Sequence, residues 1–379
     1  MGKKLAIVGT SYPFRGGIAN YNERLARAYQ ENGWEVAIYT FTLQYPNFLF
    51  PGKSQYAEGE RPADLNIVEC INSINPFNWF KVGNKIKQVA PDLVIAKFWL
   101  PFMSPCLSTI IRQIKKNGKS KIITIIDNII PHENRVGDKV LSQYFVNSVD
   151  GFITMSKDVL KDLQIFDNKK PKLYSPHPLY DNFGKAISKK IARQKLKLEE
   201  DGKYVLFFGL IRDYKGLDLL LKALVDERIK EQKIKVIVAG EFYSDPTPYH
   251  ELIAELGIEE SLVLEAKFIP DEEVVNYFCA ADMVVQPYKD ATQSGVTQIA
   301  YHFDKPMLVT NVGGLSELVP HGEVGYVINP DETEIANAIC DFYAENKEQE
   351  MSDNAKNYKK RFSWNTMIDA IDEIVTQIK

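Results

Sequence analysis

Cysteine is scarce in this chain, four in 379 residues, and Cys70, Cys106, Cys279 and Cys340 form no close pair of the kind that seeds a zinc site or a redox dithiol. That scarcity fits a reducing cytoplasm. No apolar run approaches the roughly 18 residues of a membrane span, and the stretch from Leu5 to Gly9 is too short for the core of a signal peptide. Ala6 stands where a myristoylation signal has Ser or Thr. The expectation is a cytoplasmic protein whose membrane contact, where it has one, is peripheral at the inner face. Internal repeats and low-complexity tracts are absent as well. So are the G-x-G-x-x-G turn of a dinucleotide binder and any Asp-x-Asp element that could hold a divalent metal.

What is present is the composition of a globular protein, 45% hydrophobic and 25% charged residues, at a length that suits two domains. The net charge of -4 hides an asymmetry: residues 1–180 carry 23 basic and 15 acidic side chains, residues 181–379 carry 23 and 35. A basic half suggests an anionic partner, either a lipid surface or a phosphorylated acceptor. Arg112, Lys115, Lys116, Lys119 and Lys121 follow the apolar stretch Leu107 to Ile111. Two readings fit them: a basic interfacial helix, or a solvated helix end whose cations complement the helix dipole. No nucleic-acid partner is expected.

Short apolar runs bounded by turns alternate with segments of 3.6-residue period, the pattern of parallel sheets covered by helices. In the first half, strands are expected at Leu5–Val8, Val36–Tyr39, Asn66–Cys70, Leu93–Ala96, Ile122–Ile126 and Gly151–Thr154. A second series restarts at Tyr204–Phe208 and continues through Lys235–Ala239, Leu262–Leu264, Met283–Gln286, Met307–Val309 and Tyr326–Ile328. The fold class is therefore α/β, two Rossmann-like doubly wound parallel-sheet domains facing a central cleft. Residues 1–180 form the first, 181–362 the second, and a final helix in 363–379 packs back toward the first.

Two loops carry cation or dipole chemistry suited to phosphates. After strand Tyr204–Phe208 comes GLIRDYKG, which puts Arg212, Lys215 and Gly216 at a strand end beside a helix start. After Met283–Gln286 comes TQSGVTQ, where Ser294 and Gly295 open a helix followed by Val296 and Gln298. A Ser at that position is also a common structural cap. In the first half, Gly16 and Gly17 precede a helix and let backbone amides approach a phosphate or sugar hydroxyl.

With GLIRDYKG, VAGEFY at 238–243, IDNIIPHE at 126–133, SPHPLY at 175–180 and DKPMLVTNVGGLSELV at 304–319, the chain resembles glycosyltransferase family 4, retaining nucleotide-sugar transferases of the GT-B fold. The resemblance implies transfer of a hexose-type sugar from a nucleotide diphosphate donor to a glycan or lipid-linked acceptor in cell-surface polysaccharide or lipopolysaccharide assembly. Arg212 and Lys215 would bind the diphosphate, Glu241 and Tyr243 would sit near the nucleoside, and the Phe268–Ile269 backbone would meet the base. The family's pair of glutamates separated by seven residues is not kept; Asp290 and Gln298 stand at that spacing. A histidine common at the end of the acceptor-side strand is replaced by Asp127, with His132 the nearest histidine. Asp127 either orients a sugar hydroxyl or moves a proton, or it caps the turn. Metal independence follows from leaving-group charge being met by fixed cations and dipoles. Competing readings are a nucleotide-sugar-binding scaffold without turnover and a GT-B-like nucleotide-sugar epimerase.

Overall fold

Residues 2–46, 55–57, 59–131, 135–181, 183–291 and 294–378 are described by a computed structural model. They divide into two units, one formed by Met1–Pro178 with Ser363–Lys379, the other by Leu179–Phe362.

In unit 1 the apolar runs become β1 (Lys4–Val8), β2 (Glu35–Leu43), β3 (Asn66–Asn72), β4 (Leu93–Phe98), β5 (Lys121–Ile126), β6 (Gly151–Thr154) and β7 (Lys172–Tyr174). Their order is β3-β2-β1-β4-β5-β6-β7, parallel throughout. The helices are α1 (Gly17–Glu31), α2 (Pro76–Val89), α3 (Ser104–Lys115), α4 (Asp138–Val146) and α5 (Lys157–Phe166). β4, with sequence LVIAKF, is buried along its whole length, as a strand covered on both faces must be. Each such Val, Ile or Leu contributes about 1.5–3 kcal/mol by leaving water.

Unit 2 repeats the scheme with β8 (Lys203–Phe208), β9 (Ile234–Ala239), β10 (Leu262–Glu265), β11 (Met283–Gln286), β12 (Met307–Thr310) and β13 (Gly325–Ile328), ordered β10-β9-β8-β11-β12-β13. Its helices are α6 (Lys189–Lys195), α7 (Leu217–Ala223), α8 (Glu227–Glu231), α9 (Thr247–Leu256), α10 (Asp271–Ala280), α11 (Gly295–His302), α12 (Glu332–Ala344) and α13 (Glu348–Tyr358). The chain then re-enters unit 1 as α14 (Trp364–Gln377), which packs on α1 and on β5, β6 and β7. Gly151 makes that seat: a Cβ there would lie 2.4 Å from the Ile374 side chain.

The expected α/β class and doubly wound parallel sheets are what the structure contains. The differences are local. α2 begins at Pro76 because Asn75 caps the Asn78 amide and Pro76 occupies the first turn, where its missing N–H is no loss. Leu217–Glu231 forms two helices rather than one, since Asp226 leaves helical geometry to cap Arg228. α13 escaped notice because only Met351 and Ala355 of its eleven residues are buried, which leaves no apolar period to read.

The interfacial reading of the basic cluster is overturned. Cys106, Leu107, Ile110, Ile111 and Ile114 of α3 lie in the core, while Lys115 and Lys119 pair with Asp150 and Asp92. Arg112, Lys115 and Lys116 are a solvated helix end, Lys119 follows it and Lys121 opens β5. Among the described residues no helix is long and apolar enough to cross a membrane.

Candidate active site

In unit 2 the loop after β8 is shaped by glycines. Gly216 adopts φ 68° at the start of α7, and a Cβ there would fall 1.9 Å from the Pro287 carbonyl oxygen. Gly240 has φ 156°, with the Gly209 carbonyl oxygen 2.0 Å from where its Cβ would stand. Side chains at either place would drive the β8, β9 and β11 loops apart. The Ile211 amide donates to the Glu241 carbonyl at 2.8 Å, and the Tyr243 amide donates to the Ile211 carbonyl at 3.0 Å. Glu241 and Tyr243 thereby flank Arg212.

Arg212 lies with its guanidinium carbon 3.5 Å from the centroid of the Tyr243 ring, and its Nε is buried with no hydrogen-bond partner among the described residues. Lys215 follows in a short 3-10 turn, its Nζ 3.1 Å from where a Gly209 Cβ would be and 5.6 Å from the Tyr288 ring centroid. Burial, and then the neighbouring Arg212 charge, push the Lys215 ammonium down to about 8. The acids closest in sequence are engaged elsewhere: Asp213 and Asp218 each lie 2.9 Å from Lys289. Among the described residues Lys215 has no carboxylate within ion-pair distance. Two cations in a tight loop without a counter-ion among the described residues form a site that favours an added anion.

The second loop is more occupied. Ser294 is buried; its Oγ accepts from the Val296 amide and lies 3.2 Å from the Tyr288 hydroxyl. A Cβ at Gly295 would meet the Tyr180 ring at 2.8 Å. Asp290 and Gln298, expected as a pair, are in unlike surroundings. Asp290 is exposed; burial raises the Tyr214 hydroxyl, and the Asp290 charge adds to that against the opposing charge of Arg212. Gln298 is fully buried, and neither amide atom finds a partner among the described residues. Gln286 beneath it accepts from the Thr297 hydroxyl. Phe268 and Ile269 follow β10, two strands from β8, with Ile269 buried and Phe268 half-buried.

In unit 1, Gly16 has φ 107° and ends the loop before α1, whose first residue is Gly17. Asp127 follows β5 and does not simply cap a turn. Its Oδ1 accepts from Lys97 Nζ at 2.8 Å. Lys97, in β4, is 2% exposed, and its Nζ stands 3.8 Å from the Tyr21 ring centroid. The Tyr21 ring meets His177 edge to face at 5.2 Å, and His177 Nδ1 lies 2.6 Å from the Pro178 carbonyl oxygen. Burial and the Lys97 charge push His177 down to about 3, so it is neutral at physiological pH. Burial also lowers Lys97, against the attraction of Asp127. His132 lies outside the described residues.

Lys97 and His177 were not singled out from the sequence. The available signal was a lone lysine inside the apolar run LVIAKF and a histidine between two prolines in SPHPLY. Among the described residues no three His, Cys, Asp or Glu side chains gather as metal ligands.

The model of the Glycosyltransferase Family 4 matches residues 15–173, and that of the Glycosyl transferases group 1 matches residues 188–361. A D-inositol 3-phosphate glycosyltransferase from Corynebacterium aurimucosum is 27% identical over 193 residues, covering 48% of this chain and 45% of that protein. The chain thus spans about half the length of the first curated relatives it matches. An uncharacterized glycosyltransferase of Methanocaldococcus jannaschii is 25% identical over 361 residues, 86% of each chain. Among solved structures, Anabaena HepE in complex with UDP superposes at TM-score 0.75 with 18% identity, over 99% of this chain and 100% of that one. WaaG, a glycosyltransferase involved in lipopolysaccharide biosynthesis, gives 0.71 with 17% identity, over 97% and 98%. At these identities the superpositions establish the fold.

Proposed function

Since the chain belongs to glycosyltransferase family 4, has the GT-B fold and carries the group 1 glycosyltransferase module as its second half, we propose that it transfers a hexose-type sugar from a UDP- or GDP-sugar to a glycan or lipid-linked acceptor. The observation that carries this reading is Lys215, half-buried beside Arg212 in the loop after β8 with no carboxylate partner among the described residues. The UDP held by the Anabaena neighbour supports a nucleoside diphosphate as the missing anion.

In the proposed reaction the bond from the anomeric carbon to the leaving diphosphate oxygen breaks and a bond to the acceptor oxygen forms. The nucleoside diphosphate leaves with both bonding electrons, and the acceptor hydroxyl passes its proton to the departing diphosphate oxygen. Arg212 and Lys215 stabilise the charge that grows on the diphosphate, and the dipole of α11 adds to them at Ser294–Gly295. Fixed cations placed in this way act without a divalent metal. Glu241 and Tyr243 take the nucleoside, with Asp290 and Gln298 toward the sugar. Asp127, held by Lys97, orients the acceptor hydroxyl. Retention of configuration, a role in cell-surface polysaccharide or lipopolysaccharide assembly and peripheral contact with an anionic membrane belong to the same proposal.

The test is a panel of UDP- and GDP-sugars incubated with the protein, with and without a lipid-linked acceptor, in the presence and absence of EDTA. Nucleoside diphosphate should appear with acceptor and persist in EDTA. Donor binding without release of nucleoside diphosphate would leave only a binding scaffold, and EDTA-sensitive release would contradict the metal-free mechanism.

A further inference from the structure

Tyr180 closes the segment SPHPLY and belongs to unit 2, where it is 5% exposed and meets the Phe183 ring at 6.0 Å. The ring also lies on α11. A Cβ at Gly295 would stand 2.8 Å from Tyr180 Cε2, 3.6 Å from Cδ2 and 3.7 Å from Cζ, so the ring fills the place a side chain would take. The backbone does not call for glycine there, because Gly295 opens a helix and has no positive φ. Glycine at this position is a seat for the ring.

The next residue faces the phosphate loop. Val296 Cγ2 is 3.7 Å from where a Gly209 Cβ would be, and Lys215 Nζ is 3.1 Å from the same point. The first turn of α11 thus touches Tyr180 through Gly295 and the loop of Lys215 through Val296. The last turn is fixed by other neighbours. Tyr301 stacks on Tyr358 with ring centroids 5.8 Å apart and meets Phe362 at 5.0 Å. His302 Nε2 lies 2.7 Å from the Gly184 carbonyl oxygen, and Lys359 Nζ donates to the His302 carbonyl at 3.2 Å.

With its last turn held, a helix of eight residues can move at its first turn only as far as the packing at Gly295 and Val296 allows. Amides and dipole at a helix start act on an anion over hydrogen-bond distances, where a small displacement changes the interaction. A ring enclosed between Phe183 and α11 is a stiff spacer, with only two side-chain torsions to lose. Removing it frees the helix start to drift from the cations; adding a side chain at Gly295 pushes the two apart.

We propose that Tyr180 is a positioning residue for the anion site of unit 2: its ring, seated at Gly295, sets where the first turn of α11 stands against the loop of Arg212 and Lys215, and thereby sets the affinity for a diphosphate. Tyr180 acts through the backbone of Gly295 and Val296. The seating of the ring stands on geometry alone, and its effect on affinity rests on the sugar-transfer reading, which supplies the anion.

The experiment is calorimetric titration of UDP, GDP and inorganic pyrophosphate into the full-length parent, Tyr180→Leu, Tyr180→Phe, Gly295→Ala and the double variant Tyr180→Leu, Gly295→Ala. Pyrophosphate reads the anion site without a base. Tyr180→Leu and Gly295→Ala should each weaken binding about tenfold, and the double variant should bind about threefold more tightly than Gly295→Ala alone. The reason is steric: leucine has no counterpart of Cε2 or Cζ, and an atom at the place of Cδ2 is at ordinary contact distance from an alanine Cβ. Tyr180→Phe keeps the ring and should bind within about twofold of the parent. Ile335→Ala opens a cavity in the unit 2 core cluster that contains neither Tyr180 nor any residue of α11; it should lower the melting temperature and leave the affinities unchanged, which separates positioning from loss of stability. Parent-like binding by Tyr180→Leu, or losses that simply multiply in the double variant, overturns the proposal. So does a loss in Tyr180→Phe equal to that in Tyr180→Leu, which would assign the effect to the hydroxyl. A parent that binds none of the three anions overturns the sugar-transfer reading and the proposal together, whereas parent binding that the Tyr180 variants leave unchanged overturns the proposal alone.

Discussion

Each unit places a lysine near the carboxyl end of its sheet, Lys97 buried and Lys215 half-buried, and the two are neutralised differently. Lys97 meets Asp127 at 2.8 Å and the face of Tyr21 at 3.8 Å. Lys215 has an arginine for a neighbour, and the adjacent acids face Lys289. Taking an ammonium out of water costs several kcal/mol unless a partner offsets it. In unit 1 the offset comes from within the fold. In unit 2 the fold carries the cost, and an anion from outside would remove it. A site of the first kind orients a group that acts on a neutral partner, and a site of the second kind binds charge.

The largest expected effect separates the two lysines by stability. Lys97→Met leaves the Asp127 carboxylate half-buried without its cation and should cost about 3 kcal/mol in urea unfolding. Lys215→Met removes a half-buried charge with no carboxylate partner among the described residues and should change stability by less than about 1 kcal/mol. Equal losses in the two variants would break the comparison.

The next effect reverses the order and reads binding. Arg212→Ala and Lys215→Ala should each weaken nucleoside diphosphate affinity by about 1.5–3 kcal/mol, measured by calorimetry, with little change in melting temperature. Unchanged affinity in both would place the phosphates elsewhere.

The smallest effect is a pH dependence. Lys215 is charged below about 8 and neutral above it. A bound diphosphate favours the charged form, so affinity should be flat below that pH and fall as pH rises through it, by up to about tenfold between pH 7 and 9. Lys215→Arg, which stays charged, should flatten the profile. A profile that falls on the acid side instead would show that another group controls binding.

The architecture was legible because parallel strands buried on both faces leave unmistakable apolar runs, and all twelve expected strands have counterparts among the thirteen observed. β7 escaped because it is a three-residue edge strand next to a proline-rich segment. The loop holding Arg212 and Lys215 could be read because cations, glycine, strand end and helix start are all local. The partnership of Lys97 and Asp127 could not. It crosses thirty residues and the whole of α3, and depends on the register that sets Phe98 beside Ile126. The burial of Gln298 was equally hidden, since nothing local to its place in α11 marks which side of the helix meets the core. The basic run after α3 was ambiguous for the opposite reason: its charges were plain, but which side of the helix met the core was not.

The return of α14 to unit 1 has a consequence for how the protein is made. Trp364 stacks near Tyr21, and Ile374 fills the space at Gly151, yet both leave the ribosome only after roughly 180 residues of unit 2. At about 5–20 residues per second the nascent first unit waits some ten to forty seconds with that apolar seat on α1 and β6 uncovered. A chain released before Trp364 would retain every residue of both candidate sites and still lack the helix that closes its first core. Synthesis of α14, rather than of the loops of either candidate site, therefore sets when the first core can close.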